Sequence, residues 1–436
     1  MSGISIRPGH SGSPRMSVVI CVYTEQRWDD IMAAVHSVLD QSHPAHELIV
    51  VVDHNLALYQ RLSASLRTCE PPDHTLGSVP RDHALGSPRD HALGSVPRDY
   101  ALDPRPWDTA LVSVPVVSGP VVSGTAGSVP RDDAFDVASR DTALVSGPVV
   151  SGPVVSGVAG SVPRDDALDA APRGGQPDAD QRPSVMIVAN RQTPGLSGGK
   201  NTGVAAASGD IVAFLDDDAV AEPDWLKFFA DSYRAAGVAG VGGMTLPRWD
   251  TRRPAWFPPE FDWVIGCNYA GMPESRQPVR NLLGGNASFR REVFAVAGGF
   301  TFGVGRSRGR LPLGCEETEF CIRLRQRRPD TTLLIDDRAV IWHRVPANRC
   351  RFSYFVTRCY AEGLSKARVS RSVGASDGLS AERRHVLGAL PAAVVRDLAA
   401  ALRGDLSGLG RAGAILTGLA AASAGYAAGR ARRRHG

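Results

Sequence analysis

The sequence has few features of a disulfide-linked or zinc-binding protein. Its seven cysteines are an odd number and form no Cys-x-x-Cys pair, which argues against a disulfide framework and against a thiolate zinc site. The first 15 residues are polar and rich in Gly, Ser and Pro, unlike a secretory signal. We therefore expect a reduced protein on the cytoplasmic side of the membrane.

Strong charge imbalance and long apolar runs are also lacking. The net charge is only +4, and the basic C-terminus has no interleaved aromatic residues, so we expect no nucleic-acid partner. The Ala- and Gly-rich stretch 412–428 has 17 residues, fewer than the roughly 20 that span a bilayer. We expect a helical basic region over 350–436 that is packed or lies on a surface. Its terminal arginines favour peripheral contact with an anionic membrane, at the inner face of the plasma membrane.

Residues 70–182 lack the regular patterns of the rest of the chain. Ser-Val-Pro-Arg-Asp recurs from Ser78, Ser95, Ser128 and Ser161, and 108–140 and 141–173 are near-identical copies of one 33-residue unit. Pro or Gly occurs every few residues within these units, so they cannot form pairs of helices. We predict a disordered low-complexity insertion with no part in catalysis. A short β-ribbon and a glycan-binding solenoid are the alternatives.

The segments on either side of this insertion alternate between strand and helix patterns. Short apolar runs typical of buried parallel strands occupy 18–22, 48–52, 185–188 and 211–215. Helical spacing follows at 28–39, 56–66 and 200–207, and a further strand is expected at 332–335 before a turn at Asp336-Asp337. The alternation predicts an α/β catalytic domain, formed by 16–69 and 183–349, after a disordered N-terminus at 1–15.

Asp216, Asp217 and Asp218 directly follow the strand predicted at 211–215. Three adjacent carboxylates repel one another unless a cation neutralises them. Ligands bind at the carboxyl edge of parallel sheets, and Mg²⁺ and Mn²⁺ prefer oxygen ligands. Strand alternation would send Asp216 and Asp218 to one side and Asp217 to the other. The alternative is a solvated acidic turn before the helix near 222–225.

In order and spacing, these segments resemble glycosyltransferase family 2 with the GT-A fold. The D-x-D segment is similar to 214–218 followed by 222–226, and the opening strand to 17–24, although Cys21 and Thr24 replace the usual Pro and Asn. Further similarities lie at 41–44, 47–53, 200–203, 208–210, 284–290 and 298–300. The resemblance implies a Rossmann-like mixed sheet flanked by helices. It also implies a metal-dependent inverting transferase that moves a sugar from a nucleoside diphosphate to an acceptor hydroxyl. The basic, Ala-rich tail favours a glycan or lipid-linked glycan of the cell envelope as this acceptor.

The resemblance also implies roles for single residues. Asp218 would be the principal ligand of Mn²⁺ or Mg²⁺, with Asp216 and His343 beside it, although a lone His such as His343 can equally be structural. Asp53 would bind the base or ribose of the nucleotide. The full donor-binding set would be Tyr23, Glu25, Asp53, Lys200, Asn201, Asp216 and Asp217. The acceptor side would include Trp225, Gly285, Asn286 and Glu316.

Residues 314–320 resemble the acidic segment that carries the general base of the family. Its second acid is Glu317, where the family usually has Asp, so the side chain is one methylene longer. A positioned carboxylate activates a hydroxyl nucleophile by roughly 10²–10⁴-fold, and direct displacement with one base predicts inversion at the anomeric carbon. The alternative is a charged helix start, in which Glu316, Glu317 and Glu319 favour the N-terminal dipole.

Other function classes fit the sequence less well. Residues 195–200 superficially resemble a phosphate-binding P-loop, but Pro194 stands at its first Gly and Asn201 replaces the Ser or Thr that holds magnesium. A nucleotidyltransferase would have a Gly-rich phosphate loop after its first strand, and 23–27 is not one. An inactive sugar-nucleotide binder is the third class, and the complete set of acids argues against it. Multiple transmembrane spans and a Q-x-x-R-W segment are missing, so we expect a non-processive enzyme.

Overall fold

The computed structural model describes residues 13–67, 112–115, 183–272, 276–304 and 313–431, with 112–115 described by its backbone alone. The described residues belong to one compact unit, which comprises 1–117 and 180–436. Nearly all of the segment predicted as a disordered insertion, and most of the predicted disordered N-terminus, therefore lie outside the described residues.

The first half of the sheet is parallel. Strands β1 (Met16–Val22), β2 (Glu47–Val52), β4 (Ser184–Ala189) and β5 (Ile211–Asp216) pair in the order β4-β2-β1-β5, and β3 (Val112–Pro115) adds an antiparallel edge strand to β4. Their apolar runs are buried on both faces because helices cover each side. The intervening helices are α1 (Trp28–Leu39), α2 (Leu56–Arg67) and α3 (Leu196–Ala206).

The second half of the sheet is mixed. Strand β9 (Asn286–Arg290) runs antiparallel to both β5 and β7 (Val238–Trp249), and β10 (Thr332–Val345) runs parallel to β7. Two short strands, β6 (Ala219–Ala221) and β8 (Gln277–Pro278), pair with β10. The helices here are α4 (Trp225–Ser232), α5 (Glu292–Ala297) and α6 (Glu316–Arg327). The predicted α/β architecture, a mixed sheet flanked by helices, is confirmed.

The prediction of a strand end and turn at Asp336-Asp337 is wrong. Strand β10 continues to Val345, and its register with β7 shifts between Ile335 and Val340. Asp336 is fully buried and accepts hydrogen bonds from the Ser232 hydroxyl at 2.7 Å and the Arg338 guanidinium at 2.8 Å. These bonds satisfy the carboxylate inside the protein, so the chain bulges and continues as a strand.

The core lies on both faces of the sheet because side chains alternate along each strand. Val18 and Ile20 pack with α1, α2 and α4, whereas Val19 packs on the opposite face with α5 and α6. The second face is strongly aromatic, and the rings of Phe214, Phe289, Phe294, Phe300 and Phe320 contact one another there.

The C-terminal region is helical, as predicted. It comprises α7 (Phe352–Val373), α8 (Ala375–Gly378), α9 (Ser380–Arg384), a π-helical turn (His385–Ala389), α10 (Leu390–Leu402) and α11 (Ser407–Ala431). Helices α7 and α11 cross closely: a side chain at Gly363 would meet the backbone of Ala422, and one at Gly425 would meet that of Tyr360. Both positions therefore favour glycine.

The expectation that the Ala-rich stretch is too short to cross a bilayer needs correction. Helix α11 has 25 residues, and 380–402 forms a second apolar segment of 23 residues. By length and composition alone, both are sufficient to span a membrane. However, Asp397 is fully buried within this region and pairs with Arg396 and Arg411, both at 3.0 Å. Such a charged cluster is costly inside a bilayer.

Candidate active site

The acidic cluster lies at the carboxyl end of β5, the central strand of the sheet. Three nitrogen-bearing side chains surround Asp218: His343 Nε2 lies 3.1 Å from one of its oxygens, and Arg349 Nη2 and Arg27 Nη1 lie 3.0 Å and 3.2 Å from the other. Arg27 also contacts Asp217 at 2.7 Å. Segments far apart in the chain thus converge on three consecutive aspartates.

The surroundings of Asp217 and Asp218 shift the pKa values of these two neighbouring acids in opposite directions. Burial alone would raise the pKa of Asp218, but His343, Arg349 and Arg27 together hold it well below its usual range. Burial, reinforced by the charge of Asp218, raises the pKa of Asp217 to about 7 although Arg27 opposes the shift. Asp218 is therefore the permanently ionised member of the pair, as a metal ligand must be.

Asp216, Asp218 and His343 form a set of groups that could hold a metal ion. Their ligand atoms lie within 4.8 Å of one another. Nδ1 of His343 is buried without a hydrogen-bond partner, while Nε2 faces Asp218. Two carboxylates and one imidazole fit a hard divalent cation, and Mn²⁺ tolerates the nitrogen ligand better than Mg²⁺ does. Asp217 is outside this set, as strand alternation predicted.

The candidate base lies in a buried ionic cluster. Lys200 on α3 is almost fully buried, and its Nζ donates hydrogen bonds to Glu317 and, at 3.4 Å, to Glu316. Burial would raise the pKa of Glu317, but Lys200 lowers it below its usual range. Burial and the charge of Glu317 raise the pKa of Glu316 to about 8. Near neutral pH, Glu317 is therefore the carboxylate and Glu316 carries the proton.

Gly284 and Gly285 separate the base from the metal-binding acids. A side chain at Gly284 would collide with the carboxyl group of Glu317, and one at Gly285 would collide with that of Asp216. The backbone of this loop therefore passes directly between the two acids. Only glycine permits so close an approach.

One cavity of about 640 Å³ joins these groups. The acidic cluster, Glu316, Glu317 and both loop glycines line it, together with Tyr23, Arg27 and Asp53. Each carboxylate oxygen of Asp53 accepts a hydrogen bond, one from Asn190 at 2.6 Å and one from the amide of Gly195 at 3.0 Å. Asp53 is thus held at the cavity wall, where it was predicted to bind the donor.

Several predicted donor residues lie behind the cavity wall. The side-chain amide of Asn201 exchanges hydrogen bonds with the backbone of Phe300, at 2.9 Å and 2.7 Å, and so fixes the 298–300 loop. Lys200 is engaged by the two glutamates, and Glu25 is outside the cavity lining. Asn201 and Lys200 therefore hold the site in place from behind. Their side chains are already bonded to protein groups, so they are not placed to contact the donor directly.

The predicted acceptor contacts of Trp225 and Asn286 are wrong. Both residues are fully buried, and the Trp225 indole donates to Asn286 Oδ1 at 2.8 Å. The amide of Asn286 donates in turn to the carbonyls of Met244 and Ala339, both at 3.1 Å. The pair therefore ties β9 to β7 and β10 and holds the strand that follows the glycine loop. Gly285 and Glu316, by contrast, line the cavity as expected.

Sequence reasoning missed the two arginines that face the acids. Arg27 and Arg349 are 190 and 131 residues away from their aspartate partners, and no motif linked them. The only available signal was the acidic triplet itself, which requires compensating charge.

The match to a family model agrees with this geometry. Residues 165–297 match the model of glycosyl transferase family 2, a span that includes the acidic cluster and the glycine loop. This part of the chain is similar to glycosyltransferase family 2. Glu317 and the C-terminal helices lie beyond the matched span.

Two curated relatives of known name are similar over part of the chain. A glucosyl-dolichyl phosphate glucuronosyltransferase from Haloferax volcanii is 34% identical over 192 residues, which is 44% of this chain and 61% of the relative. The succinoglycan biosynthesis protein ExoM from Rhizobium meliloti is 26% identical over 191 residues, which is 43% of this chain and 57% of the relative. The chain thus aligns with about three fifths of each relative.

Solved structures also overlap with the fold. A mannosyltransferase, PcManGT, from Pyrobaculum calidifontis in complex with GDP-Man and Mn²⁺ gives a TM-score of 0.44 at 13% identity, over 98% of this chain and 90% of that one. GalNAc-T7 with UDP, GalNAc and Mn²⁺ gives a TM-score of 0.43 at 12% identity, over 83% of this chain and 48% of that one. Overlaps of this extent support no correspondence between single residues.

Proposed function

We propose that the protein is a metal-dependent, inverting glycosyltransferase that moves a sugar from a nucleoside diphosphate to an acceptor hydroxyl. The observation that carries this proposal is the single cavity shared by the metal-binding acids and the ionised Glu317. Donor activation and acceptor deprotonation need groups of these two kinds on either side of the anomeric carbon.

The donor would lie against the acidic cluster. Asp53 would bind the base or ribose, and Asp216, Asp218 and His343 would hold Mn²⁺ or Mg²⁺. The bound cation would neutralise charge on the departing diphosphate. Arg27 meets Asp218 and lines the cavity, so its guanidinium group would also be able to pair with diphosphate oxygens. Arg349 meets Asp218 from outside the cavity lining.

Glu317 would accept the proton of the acceptor hydroxyl as that oxygen attacks the anomeric carbon. Lys200 keeps Glu317 ionised before the reaction. A single displacement of this kind uses no covalent enzyme intermediate and inverts the configuration at the anomeric carbon. Glu316, which holds its proton near neutral pH, would be able to donate a hydrogen bond to the acceptor.

A screen of sugar nucleotides tests this function. Melting temperature would be measured with each UDP- and GDP-sugar, with and without Mn²⁺, and the stabilising donors would then be assayed for hydrolysis. We expect Mn²⁺-dependent stabilisation followed by release of the nucleoside diphosphate and free sugar. Formation of a nucleoside triphosphate and a sugar 1-phosphate when pyrophosphate is added would instead indicate a nucleotidyltransferase. Stable binding without any turnover would indicate an inactive sugar-nucleotide binder.

We also propose peripheral contact with an anionic membrane through the C-terminal helices. Large apolar side chains are exposed along one face of α10 and onward into α11, and they include Leu387, Val395, Leu398, Leu402, Leu406, Leu409 and Leu416. Arg383, Arg384 and Arg403 are exposed at the ends of the 380–402 segment. Apolar residues flanked by arginines favour a helix that lies in an anionic interface. The name of the Haloferax relative, which includes a dolichyl phosphate, supports an acceptor near a membrane.

Co-sedimentation with vesicles tests the membrane contact. Binding should be clear with vesicles that contain about 30% phosphatidylglycerol and weak with phosphatidylcholine alone. The double variant Leu398→Gln, Leu402→Gln should lose most of this binding. Leu56→Gln, at an exposed leucine on α2, is the matched control. Equal sedimentation of all three proteins would exclude this helix face as the membrane contact.

A further inference from the structure

The cavity continues beyond Glu317 into a second wall built by the C-terminal helices. Residues of α7, α9, the π-helical turn, α10 and α11 line it, opposite the short 3₁₀ segment Pro259–Ile265. None of these helices lies within the span that matches the family model. The second wall is therefore a feature of this chain beyond its sugar-nucleotide fold.

Three cations and two acids form a chain of ion pairs along this wall. Lys366 lies 2.7 Å from Glu382 and 3.4 Å from Glu362, and Arg280 lies 2.7 Å from Glu382. Arg358 lies 3.8 Å from Glu362. All five line the cavity, and these five side chains together carry a formal charge of +1.

This ionic cluster is connected to the candidate base. Cys315 precedes Glu316 and Glu317 at the start of α6, and its Sγ donates a hydrogen bond to Glu362 at 3.0 Å. The excess charge therefore lies next to the place where an acceptor hydroxyl must meet Glu317. The pKa of Lys366 is raised well above its usual range, because the carboxylates of Glu382 and Glu362 outweigh its burial, so it stays charged.

The rest of the second wall is apolar. Phe261 and Trp263 line one side, and the helices contribute Val386, Leu390, Leu419 and Ala422. An excess cation in such surroundings attracts an anion more strongly than it would in water. The apolar side chains offer no hydrogen bonds to sugar hydroxyls, but they suit a hydrocarbon chain.

We propose that this second wall is an acceptor subsite for a lipid-linked sugar, with the lipid's phosphate at Lys366, Arg358 and Arg280 and its hydrocarbon chain along Leu390 and Leu419. The sugar of this acceptor would present its hydroxyl to Glu317. The inference rests on the proposed function, because it places the acceptor beside Glu317. It also explains why the same helices present an apolar face outward: the acceptor lipid would enter the cavity from the membrane to which the protein binds.

Binding of three probes to the full chain tests the combination of charge and hydrocarbon. Farnesyl phosphate carries both groups, farnesol carries the hydrocarbon alone, and inorganic phosphate carries the anion alone. Without vesicles or donor, titration calorimetry should show farnesyl phosphate binding at least about tenfold tighter than either other probe. If farnesol bound as tightly as farnesyl phosphate, the phosphate group would not contribute to binding and the proposal would fail. If inorganic phosphate bound as tightly as farnesyl phosphate, the hydrocarbon chain would not contribute and the proposal would also fail.

Paired variants locate the subsite. Lys366→Gln and Leu419→Gln should each weaken farnesyl phosphate binding about tenfold. Their controls are Arg368→Gln on the same helix as Lys366, and Leu416→Gln, an exposed residue one turn from Leu419. Arg27→Gln, in the donor half, should leave the affinity within about twofold. Loss of binding in Arg27→Gln alone would place the ligand at the diphosphate position and overturn the proposal.

A donor assay separates this inference from the proposed function. Mn²⁺-dependent hydrolysis of the sugar nucleotide should be unchanged in the control variant Arg368→Gln, and the melting temperature of Leu419→Gln serves as its check on folding. If the wild-type protein binds farnesyl phosphate as expected but hydrolyses no donor, the proposed function fails and the lipid subsite stands. If donor hydrolysis is present and farnesyl phosphate does not bind, the subsite fails and the proposed function stands.

Discussion

The two halves of the cavity differ in the elements that build them. In the donor half, reactive side chains follow strand ends and a glycine loop, and backbone hydrogen bonds fix their positions. In the acceptor half, side chains project from helices that pack through apolar contacts and one ionic cluster. The proposed metal-binding acids are thus placed at the end of a sheet strand, where little displacement is possible, and the proposed base Glu317 lies at the start of α6. The proposed acceptor contacts are on helices, whose surface residues can change without moving a strand.

The largest effect should come from Asp218→Asn in the donor half. A neutral amide cannot replace an ionised carboxylate as a metal ligand, so Mn²⁺-dependent donor hydrolysis should fall by about 10²-fold or more. The measurement is a Mn²⁺ titration of the hydrolysis rate. Asp250→Asn, at a more exposed carboxylate paired with Arg344, should behave like the wild type. Wild-type turnover in Asp218→Asn would refute the metal assignment.

Glu317→Gln should affect transfer to the acceptor but not binding of the donor, and so distinguish the two halves of the cavity. Transfer to the acceptor should fall by roughly 10²–10⁴-fold because the base is lost, while donor affinity measured by thermal shift should be retained. Unaltered transfer would contradict the assignment, and parallel Glu316→Gln and Glu319→Gln variants would then show which neighbouring acid is the base.

Lys200→Met should shift the pH profile of transfer. Lys200 lowers the pKa of Glu317, so its removal raises that pKa, and the acidic limb of kcat moves to higher pH. The rate should therefore fall by about tenfold near pH 6 and much less near pH 9. Lys200→Arg should restore part of the wild-type profile. An equal loss at every pH would show that Lys200 acts only through packing.

Deletion of 72–182, with a short linker, should have the smallest effect. Within the described residues, this segment contributes one four-residue strand at the edge of the sheet. Transfer should stay within about twofold and the melting temperature within about 5 °C. Loss of cooperative melting would show that the segment belongs to the core on which both halves of the cavity depend.

The sequence predicted the features that depend on local pattern. Buried apolar runs located the parallel strands, and the acidic triplet after β5 located the site, because a strand end fixes where the next side chains point. Trp225 and Asn286 were predicted to contact the acceptor but are buried in the structure. Their burial depends on strands β7 and β10, which lie elsewhere in the chain. A motif cannot distinguish a residue that touches the substrate from one that holds the loop behind it.

Charge pairs between distant segments escaped prediction for a related reason. No sequence motif identifies the carboxylate partners of Arg27, Arg349 and Lys366. These cations reach their partners only when the chain folds. The length of α11 was underestimated because only the Ala- and Gly-rich stretch 412–428 was counted, whereas the helix extends over Ser407–Ala431.

The glycine pair at 284–285 has a consequence for the geometry of transfer. One bare stretch of main chain lies between Asp216, the proposed metal ligand, and Glu317, the proposed base. In the proposed reaction, this stretch of backbone limits the gap in which the sugar is transferred. An added methyl group on either residue would widen that gap on one side only, so the leaving group or the incoming oxygen would fall out of line.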